Sequence, residues 1–134
     1  MSVLVTGGAG FIGAEVVREL VARGDEAVHV TSHSGALQRL EDLAGRVEVH
    51  ALDLADTDAV ASLIGRLRPR AVYHFGAMLS APGEADHEGC IRTNAYGTHA
   101  LLEACRLNGT RQVIFASSLG VFAGSDMPRD VITD

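Results

Sequence analysis

The chain contains no lysine and no tryptophan, and only two tyrosines, two cysteines and three prolines. Without tryptophan, and with four phenylalanines, the core has to be built from aliphatic side chains. Acidic residues outnumber basic ones, 17 to 11, for a formal charge of −6. An acidic chain without an extended basic cluster is a poor ligand for nucleic acid or an anionic membrane, so neither partner is expected. No apolar run approaches the roughly 18 residues of a membrane span. No basic segment leads into an apolar stretch at the amino terminus, so a signal peptide is not expected. Cys90 and Cys105 fall on one predicted helix, about 22 Å apart at 1.5 Å per residue, which is too far for a disulfide. Reduced thiols and a cytoplasmic setting are the expectation. Six histidines (29, 33, 50, 74, 87 and 99) are scattered. No two stand at ligand spacing on one face with a third to match, so no metal is expected.

What remains is the composition of one globular domain: 134 residues, 47% apolar and 21% charged. Its most informative stretch is Val3-Leu4-Val5-Thr6-Gly7-Gly8-Ala9-Gly10-Phe11-Ile12-Gly13. An apolar strand leads into a glycine turn and then a helix. Such a turn leaves backbone N–H groups at the positive end of a helix, where a pyrophosphate can sit. Gly7 permits the turn, Gly10 lets the backbone approach phosphate, and Gly13 lets helix and strand pack closely. Phe11 and Ile12 supply the donor amides. The alternative is a glycine turn made for packing alone.

Apolar runs and helical patterns alternate along the chain. Strands are predicted over 3–6, 27–31, 47–50, 71–75 and 112–116. Helices are predicted over 11–23, stopped by Gly24, over 35–43, and over 57–67, with Asp56 among the start residues and Pro69 at the end. The stretch 76–87 reads as a Gly/Pro/Ser loop. Ile91, Ala95, Thr98, Leu102 and Cys105 form one apolar stripe on a long helix over 88–107, and a loop follows strand five. Short apolar strands alternating with helices imply a parallel sheet covered on both faces. With the glycine turn after strand one, the predicted fold is a doubly wound α/β sheet of the Rossmann type, in strand order 3-2-1-4-5.

Five motifs then carry a resemblance: Thr6 to Gly13, Asp53-Leu54, His74-Phe75-Gly76-Ala77, Asn94-Ala95-Tyr96-Gly97-Thr98, and Ala116-Ser117-Ser118-Leu119-Gly120-Val121-Phe122. In that order and spacing the chain resembles the extended short-chain dehydrogenase/reductases, a family that includes nucleotide-sugar epimerases and dehydratases. Within it, the stretches Met78 to Glu84, Ser117 to Phe122 and Asp130 to Asp134 look like the D-erythronate and short-chain L-threonine dehydrogenase branch. Phe122 stands where sugar epimerases usually carry Tyr.

The resemblance implies NAD or NADP as cofactor and a small polar substrate with a secondary alcohol, such as a hydroxy acid or amino acid. The alternatives are a nucleotide-sugar epimerase or dehydratase, and a non-catalytic dinucleotide-binding module. Asp53 would accept from the adenine amino group while the Leu54 backbone meets the ring, although a turn or capping role would also suit Asp53. Phe75, Gly76 and Ala77 would line the crevice at the carboxyl edge of the sheet, where Ala116 ends strand five. Thr31 and Ser32 would bond the adenosine ribose. No acidic residue stands beside them, so a 2′-phosphate is also admissible, with His33 or Arg39 to hold it.

Asn94 would tie the long helix to a strand end beside the cofactor, or serve packing only. Ser80 and Ser118 would contact substrate, with Ser118 steadying developing charge as the catalytic hydroxyl. The family's catalytic pair, a Tyr with a Lys four residues later, is absent: Tyr73 and Tyr96 are the only tyrosines and neither is so followed. The resemblance therefore implies the amino-terminal part of a longer enzyme, truncated before the last strands and inactive alone. The edge left at Gln112-Val113-Ile114-Phe115 would favour self-association or a homo-oligomer.

Overall fold

A computed structural model describes residues 2–24, 27–33, 35 and 38–118. Its strands are β1 (Ser2–Thr6), β2 (Ala27–Ser32), β3 (Glu48–Ala51), β4 (Ala71–His74) and β5 (Gln112–Phe115). They form one sheet in the order β3-β2-β1-β4-β5, every pair parallel. This is the topology expected from the sequence.

The central strands are apolar on both faces because both faces are covered. On one side α1 (Phe11–Ala22) packs Ala14, Val17, Leu20 and Val21 against Val3, Val5, Val28 and Val30, joined by Leu40 and Leu43 of a 3-10 helix (Gln38–Leu43). On the other side α2 (Thr57–Leu67) and α5 (Thr98–Leu107) pack Val60, Leu63, Ile64, Leu101, Ala104 and Cys105 against Leu4 and Val72. Asp56 caps α2 through its carboxylate, which accepts from the Ala59 N–H at 2.9 Å.

Three local expectations change. The predicted helix over 35–43 is the 3-10 helix, beginning at Gln38 among the described residues. The predicted loop over 76–87 contains α3 (Ser80–Ala85) and the start of α4 (His87–Ile91). Pro82 is compatible with α3 because it lies in the first turn, where its missing N–H would have had no partner.

The long helix over 88–107 is α4, a π-turn over Arg92–Gly97, and α5. Of the predicted stripe Cys105 is buried and Thr98 turns inward to His74, but elsewhere the inward face lies one residue earlier. Gly97, Leu101, Ala104 and Cys105 are buried, whereas Ile91 is 54% exposed and Leu102 45%. The motif portion 119–122 and the stretch 130–134 lie outside the described residues.

Candidate cofactor site

The turn after β1 is shaped by backbone packing. Gly7 has φ +64°, a left-handed conformation that favours glycine. A Cβ there would lie 2.7–2.9 Å from backbone atoms of Phe75 and Gly76. A Cβ on Gly13 would overlap the Gly7 carbonyl oxygen and lie 2.7 Å from Gly8 Cα. Gly10 is different: its φ is −77°, and a Cβ would meet only Gly7 O, at 3.0 Å. The Gly10 N–H donates to Gly7 O (2.9 Å) and the Ala14 N–H to Gly10 O (3.0 Å), which closes the turn onto the helix.

No side chain caps the start of α1, and Phe11 and Ile12 turn outward, 79% and 59% exposed. The glycine turn and the start of α1 thus form an exposed helix N-terminus without a side-chain cap from Gly10, a setting in which helix amides can receive an anion.

In a parallel sheet all strands end on one edge, and the predicted site residues collect there. Thr31 ends up buried, 2% exposed, and its Oγ1 accepts from the Gly7 N–H at 3.4 Å, bracing the turn. Ser32 is half-buried at the end of β2. Past β3, Asp53 is exposed with Oδ1 accepting from the Ala55 N–H (2.9 Å), and Leu54 is buried. Beyond β4 the Phe75 N–H continues the ladder to Thr6 O (3.1 Å), Gly76 is half-buried and Ala77 exposed. A Cβ on Gly76 would come 2.6 Å from Leu54 Cδ1. Past β5, the Ala116 N–H donates to His74 O (3.2 Å), and Ser118 lies exposed two residues on. Ser80 opens α3.

Asn94 grips the exit of β4: its Oδ1 accepts from the Met78 N–H (2.8 Å) and its Nδ2 donates to Met78 O (2.9 Å). Both ends of one amide are thereby spent on one backbone residue, which fixes the path of the chain past Gly76. Asn94 sits inside the π-turn, an irregularity often found at functional sites.

Several participants lie beyond the sequence reading. Thr6 Oγ1 accepts from the Gly76 N–H (3.2 Å) and is hydrogen-bonded to His74 Nδ1, while His74 Nε2 meets Thr98 Oγ1 at 3.0 Å. This buried chain of polar groups ties β1 and β4 to α5. Gly97 is the close approach beside it, since a Cβ there would overlap the Leu54 carbonyl oxygen. Thr98 and Gly97 stand in the Asn94 motif, which was the available signal. The expectation that no two histidines stand on one face with a third ligand to match does not hold across the strands. Pairing of β2 with β3 brings His29 and His50 to 3.0 Å, with Glu48 beside them.

Burial pushes His74 below the usual histidine value of 6.5. His50 is lowered in the same way, chiefly by burial, against an opposing pull from Glu48. The unfolded chain then binds more protons, so stability present above about pH 6.5 is lost as pH falls. Urea unfolding at about pH 7.5 and about pH 5.5 is expected to show a smaller pH-dependent loss in His74→Asn than in wild type. Equal losses would mean that His74 is not a source of the dependence.

A glycine cradle at an open helix start, set where β1 and β4 adjoin at the carboxyl edge of a 3-2-1-4-5 sheet, defines a parallel α/β fold of the dinucleotide-binding class. The chain belongs to the NAD dependent epimerase/dehydratase family, which it matches over residues 3–133. A UDP-glucose 4-epimerase of Erwinia amylovora is 39% identical over 96% of this chain and 40% of its own length. A D-erythronate dehydrogenase of Cupriavidus necator is 36% identical over 96% of this chain and 42% of its own. Among solved structures, Thermus thermophilus UDP-glucose 4-epimerase in complex with NAD superposes with a TM-score of 0.76 at 39% identity, over 88% of this chain and 38% of that one. The chain thus spans about two fifths of the relatives it matches. NAD(P) is the cofactor these relationships support. Among the described residues no helix is long and apolar enough to cross a membrane.

Proposed function

We propose that this chain forms the dinucleotide-binding part of an enzyme that oxidises or reduces the secondary alcohol carbon of a small polar substrate. The observation that carries this reading is the cradle at Gly7, Gly10 and Gly13 beside the strand ends bearing Leu54, Gly76 and Ser118. Amides of Phe11 and Ile12 would hold the pyrophosphate. Asp53 Oδ1 is engaged by Ala55, so Oδ2 would accept from the adenine amino group while the Leu54 backbone faces the ring. Gly76, Ala77, Asn94 and Ala116 would frame the inner half of the crevice.

When bound, the nicotinamide supplies hydride exchange with the carbinol carbon. The Ser118 hydroxyl, with Ser80 nearby in sequence to the β4 exit, would hydrogen-bond the substrate oxygen where charge develops. No lysine stands in the 134 residues, so the proton-transfer pair of the family is not supplied by them. Calorimetry is expected to show NAD or NADP binding to the chain, without cofactor reduction when hydroxy acids are added. Absence of any binding would overturn the reading.

Two substrate classes fit. The Met78 to Glu84 stretch and the D-erythronate dehydrogenase relative support a hydroxy acid. The UDP-glucose 4-epimerase relatives support a nucleotide sugar. In the full gene product, net accumulation of reduced cofactor with hydroxy acids would favour the first. Interconversion of UDP-hexoses without net reduction would favour the second.

The end of β2 bears Thr31, Ser32 and His33 with no carboxylate, and the Arg39 guanidinium stands 5.9 Å from the centroid of the Phe11 ring. Arg39 is therefore placed beside the start of α1, where it could hold a 2′-phosphate. Arg39→Ala is expected to weaken NADP binding about tenfold, some 1.4 kcal/mol, and to leave NAD binding unchanged. Equal effects on both cofactors would remove Arg39 from discrimination.

The outer edge of β5, the last strand of the sheet, would support self-association, with Phe115 56% exposed. Light scattering that shows a monodisperse monomer at high concentration would count against this.

A further inference from the structure

Strands β2 and β3 carry a group of side chains that the cofactor site does not use. In the parallel register His29 pairs with Glu48 and Thr31 with His50. Side chains two residues apart share a face, so His29, Glu48 and His50 project from one side of the sheet, the side covered by α2. His29 Nδ1 lies 3.0 Å from His50 Nε2, 3.4 Å separates His29 Nδ1 from Glu48 Oε2, and 3.6 Å separates His50 Nε2 from Glu48 Oε1.

We propose that His29, Glu48 and His50 form a binding site for a divalent transition-metal ion of the zinc type, clasping the edge strand β3 to β2. Metal–ligand bonds of 2.0–2.1 Å in a tetrahedron place ligand atoms about 3.4 Å apart. The two imidazole nitrogens stand 3.0 Å apart and face different oxygens of Glu48 at 3.4 and 3.6 Å, so the carboxylate would clasp the ion through both oxygens or after turning one of them towards both rings. Two imidazoles and one carboxylate select zinc-type ions over magnesium or calcium.

The site is accessible as well as formed. His29 is buried at 7% exposure, which holds its ring in place, whereas the Glu48 side chain is 66% exposed and gives an ion its way in. An open cavity of about 300 Å³, lined by His50, Leu52, Ser62 and Arg66 among others, adjoins His50 and brings solvent to that side of the group. Arg66 would oppose a cation, but its guanidinium donates to Ser62 Oγ at 2.9 Å, and Glu48 supplies the compensating charge.

The test is Zn²⁺ titration of the purified protein in competition with a chromogenic chelator. One ion per chain is expected. His50→Gln and Glu48→Gln are each expected to weaken binding about tenfold or more. A variant with His33, His87 and His99 all changed to Gln is expected to bind like wild type. Zn²⁺ should raise the melting temperature of wild type and of the triple variant, and Mg²⁺ should not. If His50→Gln does not fold, Glu48→Gln, altered at an exposed side chain, gives the reading. Wild-type affinity in Glu48→Gln, loss of binding in the triple variant, or no saturable Zn²⁺ binding would each overturn the proposal.

Discussion

Gly10→Val is expected to keep the fold and lose the cofactor. Gly10 is exposed, its φ of −77° suits any residue, and the nearest atom to an added Cβ is Gly7 O at 3.0 Å. Gly7 O would have to give by a few tenths of an ångström, so the melting temperature without ligand is expected to fall far less than in a variant that meets several backbone atoms. The branched methyls would instead stand over the first-turn amides and occupy the space of the pyrophosphate. At cofactor concentrations about 100 times the dissociation constant, wild type should gain roughly 2.7 kcal/mol of stability, and the variant none. Melting curves recorded with NAD and with NADP check this. A variant stabilised like wild type would refute the role of this turn.

Gly13→Ala is expected to do the reverse and damage the fold directly. Its single methyl would overlap Gly7 O and lie 2.7 Å from Gly8 Cα and 2.9 Å from Gly7 C. All three are backbone atoms, so no rotamer change relieves the clash. The start of α1 would have to lift from β1, which pulls Ala14 and Val17, 1% and 0% exposed, out of their contacts. Overpacking typically costs 1–3 kcal/mol, and here a loss of about 3 kcal/mol or more is expected. That is a large part of the 5–15 kcal/mol of a typical domain. A urea midpoint equal to that of wild type would show that the contact between helix and turn is looser than described. Two glycines three residues apart in one motif thus answer to different physics, one to the ligand and one to the chain.

The contrast also explains what the sequence made legible. Val3-Leu4-Val5 and Val28-His29-Val30 are nearly continuous apolar runs because both sides of the sheet are covered there, and five strands alternating with helices leave few topologies. The inward face of the helix over 88–107 was harder to read. The residues that face the β4 exit and Leu54 include Asn94 and Gly97, chosen for hydrogen bonding and close approach. Ile91 and Leu102, which look like core residues, lie outside. The π-turn over Arg92–Gly97 has no compositional signature.

Within the candidate site, the glycines and Asp53-Leu54 were visible because each stands in a short motif of adjacent residues, even where the atoms it packs against, as at Gly7 and Gly76, come from another strand. The Thr6–His74–Thr98 relay and the meeting of His29 with His50 were not. Their partners come from different strands and helices, and only strand pairing brings them together. Thr31 illustrates the same limit, since its hydroxyl braces the Gly7 amide from a neighbouring strand.

Leu54 meets Gly76 with its side chain and Gly97 with its carbonyl. One residue therefore dictates what evolution can place at two others, and by separable means. Shortening position 54 to Ala would create the vacancy a methyl at 76 requires, so Leu54→Ala combined with Gly76→Ala should be less harmful than the two single changes predict by addition. No exchange at 54 could rescue Gly97→Ala, because every amino acid carries the same carbonyl. Descendants of this sequence can drift along the first pairing but are held fast at the second.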